Sequence, residues 1–149
     1  MINKQKLYDS VDKNAEKITA LSDAIWDFSE LSMQEYKSAA YYCDLLEQEG
    51  FRVERKLCGI PTAFSGSFGS GKPRIGILGE FDALSGLSQC PGSTKRESLN
   101  PGGNGQGCGH NLLGAAAFGA ALAVKKAIEA GLLHGTVVFY GCPGEEGCA

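Results

Sequence analysis

The sequence predicts an α/β fold, a layered sheet with helices on both faces. Three observations carry that expectation. Two amphipathic helical segments open the chain, short apolar and β-branched runs of strand length follow, and a long helical segment separates the last two of those runs.

In order along the chain, Val11, Ala15, Ile18, Leu21, Ile25 and Phe28 recur at helical spacing, with lysines and acids on the other face. Asp9 or Ser10 is placed to cap that helix, and Trp26 reads as core. Ser32-Met33-Gln34-Glu35 has the form of a capping box that opens a second helix through Ala39, Ala40, Cys43 and Leu46. Gly50 is placed to stop it. Residues 51–57 alternate like an edge strand, with residues 63–68 as its neighbour. Residues 74–78 form a short apolar run suited to a buried strand. Residues 85–109, rich in Gly, Ser, Pro and Asn, are irregular, and a loop of that length in a compact domain is usually functional or mobile. A helix rich in small residues is expected over 111–130, ended by Gly131, and a buried strand over 136–140, broken by Cys142-Pro143-Gly144.

The bulk properties exclude several function classes. The 149 residues suit one domain, and 43% hydrophobic content is enough for a core. Net charge is -3, with no long run of one sign, which argues against nucleic acid or an anionic membrane as partner. The N-terminus leads into a polar amphipathic segment rather than an apolar signal core, and the apolar stretch 112–124 is too short to span a bilayer. The six cysteines lie far apart without a CxxC, so a cytoplasmic setting with reduced thiols is expected.

Three segments carry unusual polar residues, each just after a strand or just before a helix: Gly79-Glu80-Phe81-Asp82-Ala83-Leu84, Gly105-Gln106-Gly107-Cys108-Gly109-His110-Asn111 and Gly144-Glu145-Glu146-Gly147. Ligand crevices of open α/β sheets lie outside the carboxyl ends of the strands, so Asp82, Cys108, His110, Glu145 and Glu146 are expected to converge. Thiolate, imidazole and carboxylate are the ligand set of a zinc-type or manganese-type site. Two adjacent glutamates can divide the work, one binding metal while the other takes a proton from water. A competing enzyme reading makes Cys108 a nucleophile with a histidine as base, and metal dependence separates the two. The glycines at 102–109 fit neither GxGxxG nor a P-loop, which argues against nucleotide binding. His134 reads as a surface turn residue, and Cys142 and Cys148 as incidental thiols.

In these three motifs, their order and their spacing, the chain resembles the aminoacylase and glutamate-carboxypeptidase type of metallopeptidase, in its amidohydrolase branch. The resemblance covers nearly the whole chain. It implies the catalytic domain of a di-metal exopeptidase-like fold, with residues 1–149 as the N-terminal part and both the lid or dimerisation domain and the C-terminal part absent. It further implies two divalent metal ions, zinc or manganese. Cys108 would be a thiolate ligand bridging them, His110 and Glu146 metal ligands, and Glu145 the general base. Asp82 would orient a neighbouring ligand or tune the site's charge. Glu80 stands where peptidase members of the family carry a histidine ligand, and no ligand role is assigned to it. The implied substrate is an N-acyl or N-aroyl amino acid. Relatives supply further histidines downstream, so the isolated chain is expected to be an inactive, incomplete portion, and an uncovered sheet edge suggests homo-oligomers. A non-catalytic fragment with a structural or binding role is the remaining alternative.

Overall fold

The computed structural model describes residues 4–147. Its elements run α1 (Lys4–Lys13), α2 (Ala15–Phe28), α3 (Tyr36–Gln48), β1 (Arg52–Arg55), β2 (Phe64–Ser70), β3 (Arg74–Glu80), α4 (His110–Glu129) and β4 (Gly135–Cys142). The four strands form one mixed sheet in the order β1-β2-β4-β3, antiparallel except for the β3–β4 pair. The α/β class is therefore borne out. Because β3 and β4 are parallel, their connection must cross over the sheet, and α4 provides the crossover. Both strands consequently end on the same side, with Glu80 paired to Cys142.

The core lies between the helices and one sheet face. Tyr42 sits at its centre, 5.7 Å from the Phe139 ring and 5.6 Å from Phe81, with Phe64 and Phe118 completing the cluster. Rings this large need room, and small residues supply it. A side chain at Gly114 of α4 would collide with Tyr42 Oη and the Glu80 carbonyl, and one at Gly141 with the Phe64 ring. The small-residue helix thus lets α4 lie directly against the end of β3.

Two helix ends follow the sequence closely. After α3, Gly50 takes φ 78°, its N–H reaching Glu47 O while Phe51 N–H reaches Leu46 O. Gly131 ends α4 with the same pair of bonds, to Ile128 O and from Leu132 N to Ala127 O.

Other expectations are corrected. The first helix is two helices that meet at Asn14, whose side chain donates to Ser10 O. Neither Asp9 nor Ser10 caps it, since helix already begins at Lys4. The capping box does not form. Ser32 Oγ donates instead to Asp82 Oδ2, and Glu30 serves the first turn of α3, accepting from Lys37 N and Ser38 N at 3.0 and 2.8 Å. Trp26 is half-buried and lines a surface cavity with Leu87, Leu99 and Gln106. Strand β3 lies at an edge of the sheet, leaving Ile75 56% and Leu78 61% exposed. The described helices all pack on the face bearing Phe64, Val137 and Phe139, while Leu78 and Tyr140 face the other way. There they line an apolar groove with Leu57, Ile60 and Pro143.

Among the described residues one helix, α4, is long and apolar enough to cross a membrane. It packs against β3, β4, α1 and α2 and contributes Ala115, Phe118, Ala121 and Leu122 to the core, as a buried helix of a folded domain does. The expected irregular segment is irregular, tied at its ends by the Leu84–Gly105 bridge. Cys148 lies outside the described residues.

Burial pushes the Tyr42 phenol well above its ordinary range and the Cys43 thiol up to about 11. Both groups hold their protons more tightly folded than unfolded. Their contribution to stability is thus full below the ordinary thiol pKa of about 8.5 and is lost as pH rises. Denaturant midpoints should hold to about pH 8.5 and fall steadily towards pH 11. Among the described residues, Tyr42 Oη is buried without a hydrogen-bond partner. Tyr42→Phe should therefore cost less than about 1 kcal/mol at pH 7 and flatten the alkaline slope.

Candidate metal centre

The site forms where β3, β4 and α4 meet. Glu80 closes β3, Asp82 follows it, His110 opens α4, and Glu145 and Glu146 stand on the turn after β4. Gly109 precedes α4 with φ 85°, a left-handed turn that lets the chain enter the helix directly after Cys108.

Asp82 is 1% exposed and fully engaged. Its Oδ1 lies 2.9 Å from His110 Nδ1, and its Oδ2 accepts from Ser32 Oγ at 2.7 Å and from the Glu146 N–H at 3.0 Å. An ionised carboxylate only accepts, so the proton of His110 is assigned to Nδ1, leaving Nε2 with a lone pair. That nitrogen points into acid: Glu80 Oε2 is 3.3 Å away, Glu145 Oε2 3.6 Å and Glu146 Oε1 3.9 Å.

Two sets of donor atoms lie within 4.8 Å of one another, Cys108–His110–Glu146 and Glu80–His110–Glu145. Glu146 Oε1 is buried without a well-formed hydrogen bond among the described residues. The Cys108 thiol is held above its ordinary pKa, first by its interaction with the Glu146 carboxylate, then by desolvation and the charges of Glu146, Glu145 and Glu80. A crowd of oxygen donors, one imidazole lone pair and one thiol is the donor chemistry of a divalent cation site.

A second buried carboxylate stands behind the glutamate turn. Glu35, 0% exposed, accepts through Oε1 from Met33 N–H at 2.9 Å and Gly144 N–H at 2.8 Å.

The structure brings together all five residues singled out in the sequence: Asp82, Cys108, His110, Glu145 and Glu146. It adds Glu80, to which the resemblance assigns no ligand role, and Ser32 and Glu35, whose capping-box pattern predicts only a local one. His134 is exposed beyond the far end of α4, and Cys142 lies near Glu80, whose charge, after burial, raises its pKa.

No family model matches the chain. Over 139 residues it is 52% identical to a subunit of the p-aminobenzoyl-glutamate hydrolase of Escherichia coli (strain K12), an alignment covering 93% of this chain and 29% of that protein. It is 30% identical to the Xaa-Arg dipeptidase of Mus musculus, covering 96% of this chain and 32% of the relative. The chain thus spans about a third of the length of the curated relatives it matches. Among solved structures, it superposes on a dinuclear metal-binding peptidase of the M20 family from Bacillus subtilis with a TM-score of 0.72 at 23% identity, covering 88% of this chain and 36% of that one. The resemblance read from the three motifs is borne out, and so is the α/β fold class.

Removing the Asp82 carboxylate would leave His110, Ser32 and a buried peptide N–H without their acceptor. Asp82→Ala should lower the unfolding free energy by about 3 kcal/mol. A loss under about 1 kcal/mol in urea titration would mean that these bonds contribute little.

Proposed function

We propose that residues 1–149 are the N-terminal part of the catalytic domain of a metal-dependent amidohydrolase, which cleaves the amide bond joining an acyl or aroyl group to an amino acid. The observation that carries this reading is the aim of His110 Nε2, fixed by Asp82, into three carboxylates beside a cysteine. The identity with the p-aminobenzoyl-glutamate hydrolase chain supports the reaction class and an N-acyl or N-aroyl amino acid as substrate. The likeness to a dinuclear metal-binding peptidase supports a fold suited to two cations.

Cys108, His110 and Glu146 are the ligands we assign: they would hold divalent ions, zinc or manganese, with Cys108 supplying a thiolate. Bound divalent cations would supply Lewis-acid polarisation and lower the pKa of neighbouring water. Glu145, its side chain 50% exposed, is the general base: its carboxylate takes a proton from water and returns it to the departing amine nitrogen. Asp82 keeps His110 in the tautomer that presents Nε2. A cysteine-nucleophile mechanism is disfavoured, because such a thiol needs a depressed pKa and the carboxylates here raise it.

A thiolate ligand suits a cytoplasmic setting, where thiols stay reduced. The other histidine of the chain, His134, lies away from the cluster, so we expect little or no turnover of N-acyl amino acids by the 149 residues alone. We also expect self-association through the apolar groove around Leu78 and Tyr140, and light scattering that showed a clean monomer at high concentration would refute it.

Calorimetric titration of zinc into the metal-free chain should show binding that Cys108→Ser weakens about tenfold or more. Affinity should rise with pH, since the thiol must lose its raised proton to bind, and proton release should be measurable from the buffer dependence of the heat. Binding indifferent to both Cys108→Ser and pH would sink the assignment.

A further inference from the structure

We infer that Glu35 is a positioning residue for this centre: its buried carboxylate sets the turn that carries Glu145 and Glu146. The inference rests on the proposed metal centre and adds to it a residue 109 positions away in sequence from the Gly144 amide it holds.

Glu35 immediately precedes α3, where a carboxylate would ordinarily cap its own helix. It does not. Glu30 already serves the α3 amides, and Glu35 Oε1 turns to Met33 N–H and Gly144 N–H. A carboxylate buried to 0% exposure is costly to desolvate, and its other oxygen, Oε2, finds no partner among the described residues. Such a group is poorly explained as ordinary helix chemistry.

Its two bonds go to two residues with left-handed backbone. Met33 has φ 62°, rare for a residue with a side chain, and Gly144 has φ 70°. Their side chain and backbone pack together, leaving only 2.9 Å between Met33 Cε and the place a Cβ would take at Gly144. From Gly144 the chain runs through Glu145 to Glu146, whose N–H is held by Asp82 Oδ2. Two buried carboxylates therefore grip the turn two residues apart, with Glu145 between them. Ser32, in the same loop as Met33, donates to Asp82 and links the two grips. Fixing the peptide at both Gly144 and Glu146 decides where the two glutamate side chains leave the backbone, and so whether they meet His110 Nε2.

The test compares Glu35→Gln, which keeps a carbonyl to accept both N–H groups, with Glu35→Asp, which keeps the charge but shortens the reach. Amide hydrogen exchange at Gly144 and Met33 is measured in the metal-free 149-residue chain, and zinc affinity by calorimetry well below the unfolding temperature. Wild type should protect both amides. Glu35→Asp should lose that protection and bind zinc about tenfold or more weakly, while Glu35→Gln should stay within about threefold of wild type in affinity. A merely structural role would lower the melting temperature and leave zinc affinity unchanged, which would overturn the inference. So would a Gly144 amide that exchanges freely in wild type, a result available even if the variants fail to fold. If wild type binds no zinc while Gly144 stays protected through Glu35, the metal-centre reading fails and the tie between Glu35 and the turn stands.

Discussion

Everything at this site hangs on one buried carboxylate. Asp82 takes three donors from three parts of the chain: the imidazole at the start of α4, the hydroxyl before α3 and the peptide N–H of Glu146 after β4. Burying a charge is tolerable only when its oxygens are satisfied, so Asp82 requires those segments to be where they are. The aromatic core sets the same distances from below. Tyr42 and Phe139 fill the space under α4, and Gly114 lets the helix settle against the Glu80 carbonyl. Core packing places α4, and Asp82 then orients the histidine at its first turn.

Much of this is legible in the chain, for reasons that differ by residue. Two strand-like runs separated by a helix suit the parallel pairing of β3 and β4, which needs a crossover connection. Once that topology holds, the segments after both strands must lie side by side, so Asp82 and the glutamates converge with His110. Glycines at 50 and 131 end helices because a left-handed residue closes the last turn without steric cost. These are local or topological rules, and sequence carries them well.

What escapes the sequence is long-range. Ser32 and Glu35 match a capping box letter for letter, yet each spends its side chain elsewhere, on Asp82 and on Gly144. A local motif offers a bond of modest worth; a buried acceptor or a backbone N–H elsewhere offers a better one, and no window of adjacent letters shows it. Strand β3 misleads in a different way. Its apolar run suits a strand covered on both faces, and Ile77 is indeed packed, but Leu78 faces away from the helices. Trp26 likewise reads as core by composition and instead lines an open cavity.

The electrostatics explain why such a site needs so much scaffolding. Glu80, Glu145 and Glu146 gather around one imidazole nitrogen, and carboxylates crowded this way repel one another. Left to themselves, flexible glutamates would swing into solvent. Glu146 cannot follow that course, because its own peptide is fastened to Asp82 and its carboxylate is only 18% exposed. Glu145, one residue earlier and half exposed, has more freedom. The backbone ties on either side of Glu145 thus divide two identical neighbours into unlike groups, one held close and largely shielded and one open to water, which is the division that the ligand and base roles proposed for them require.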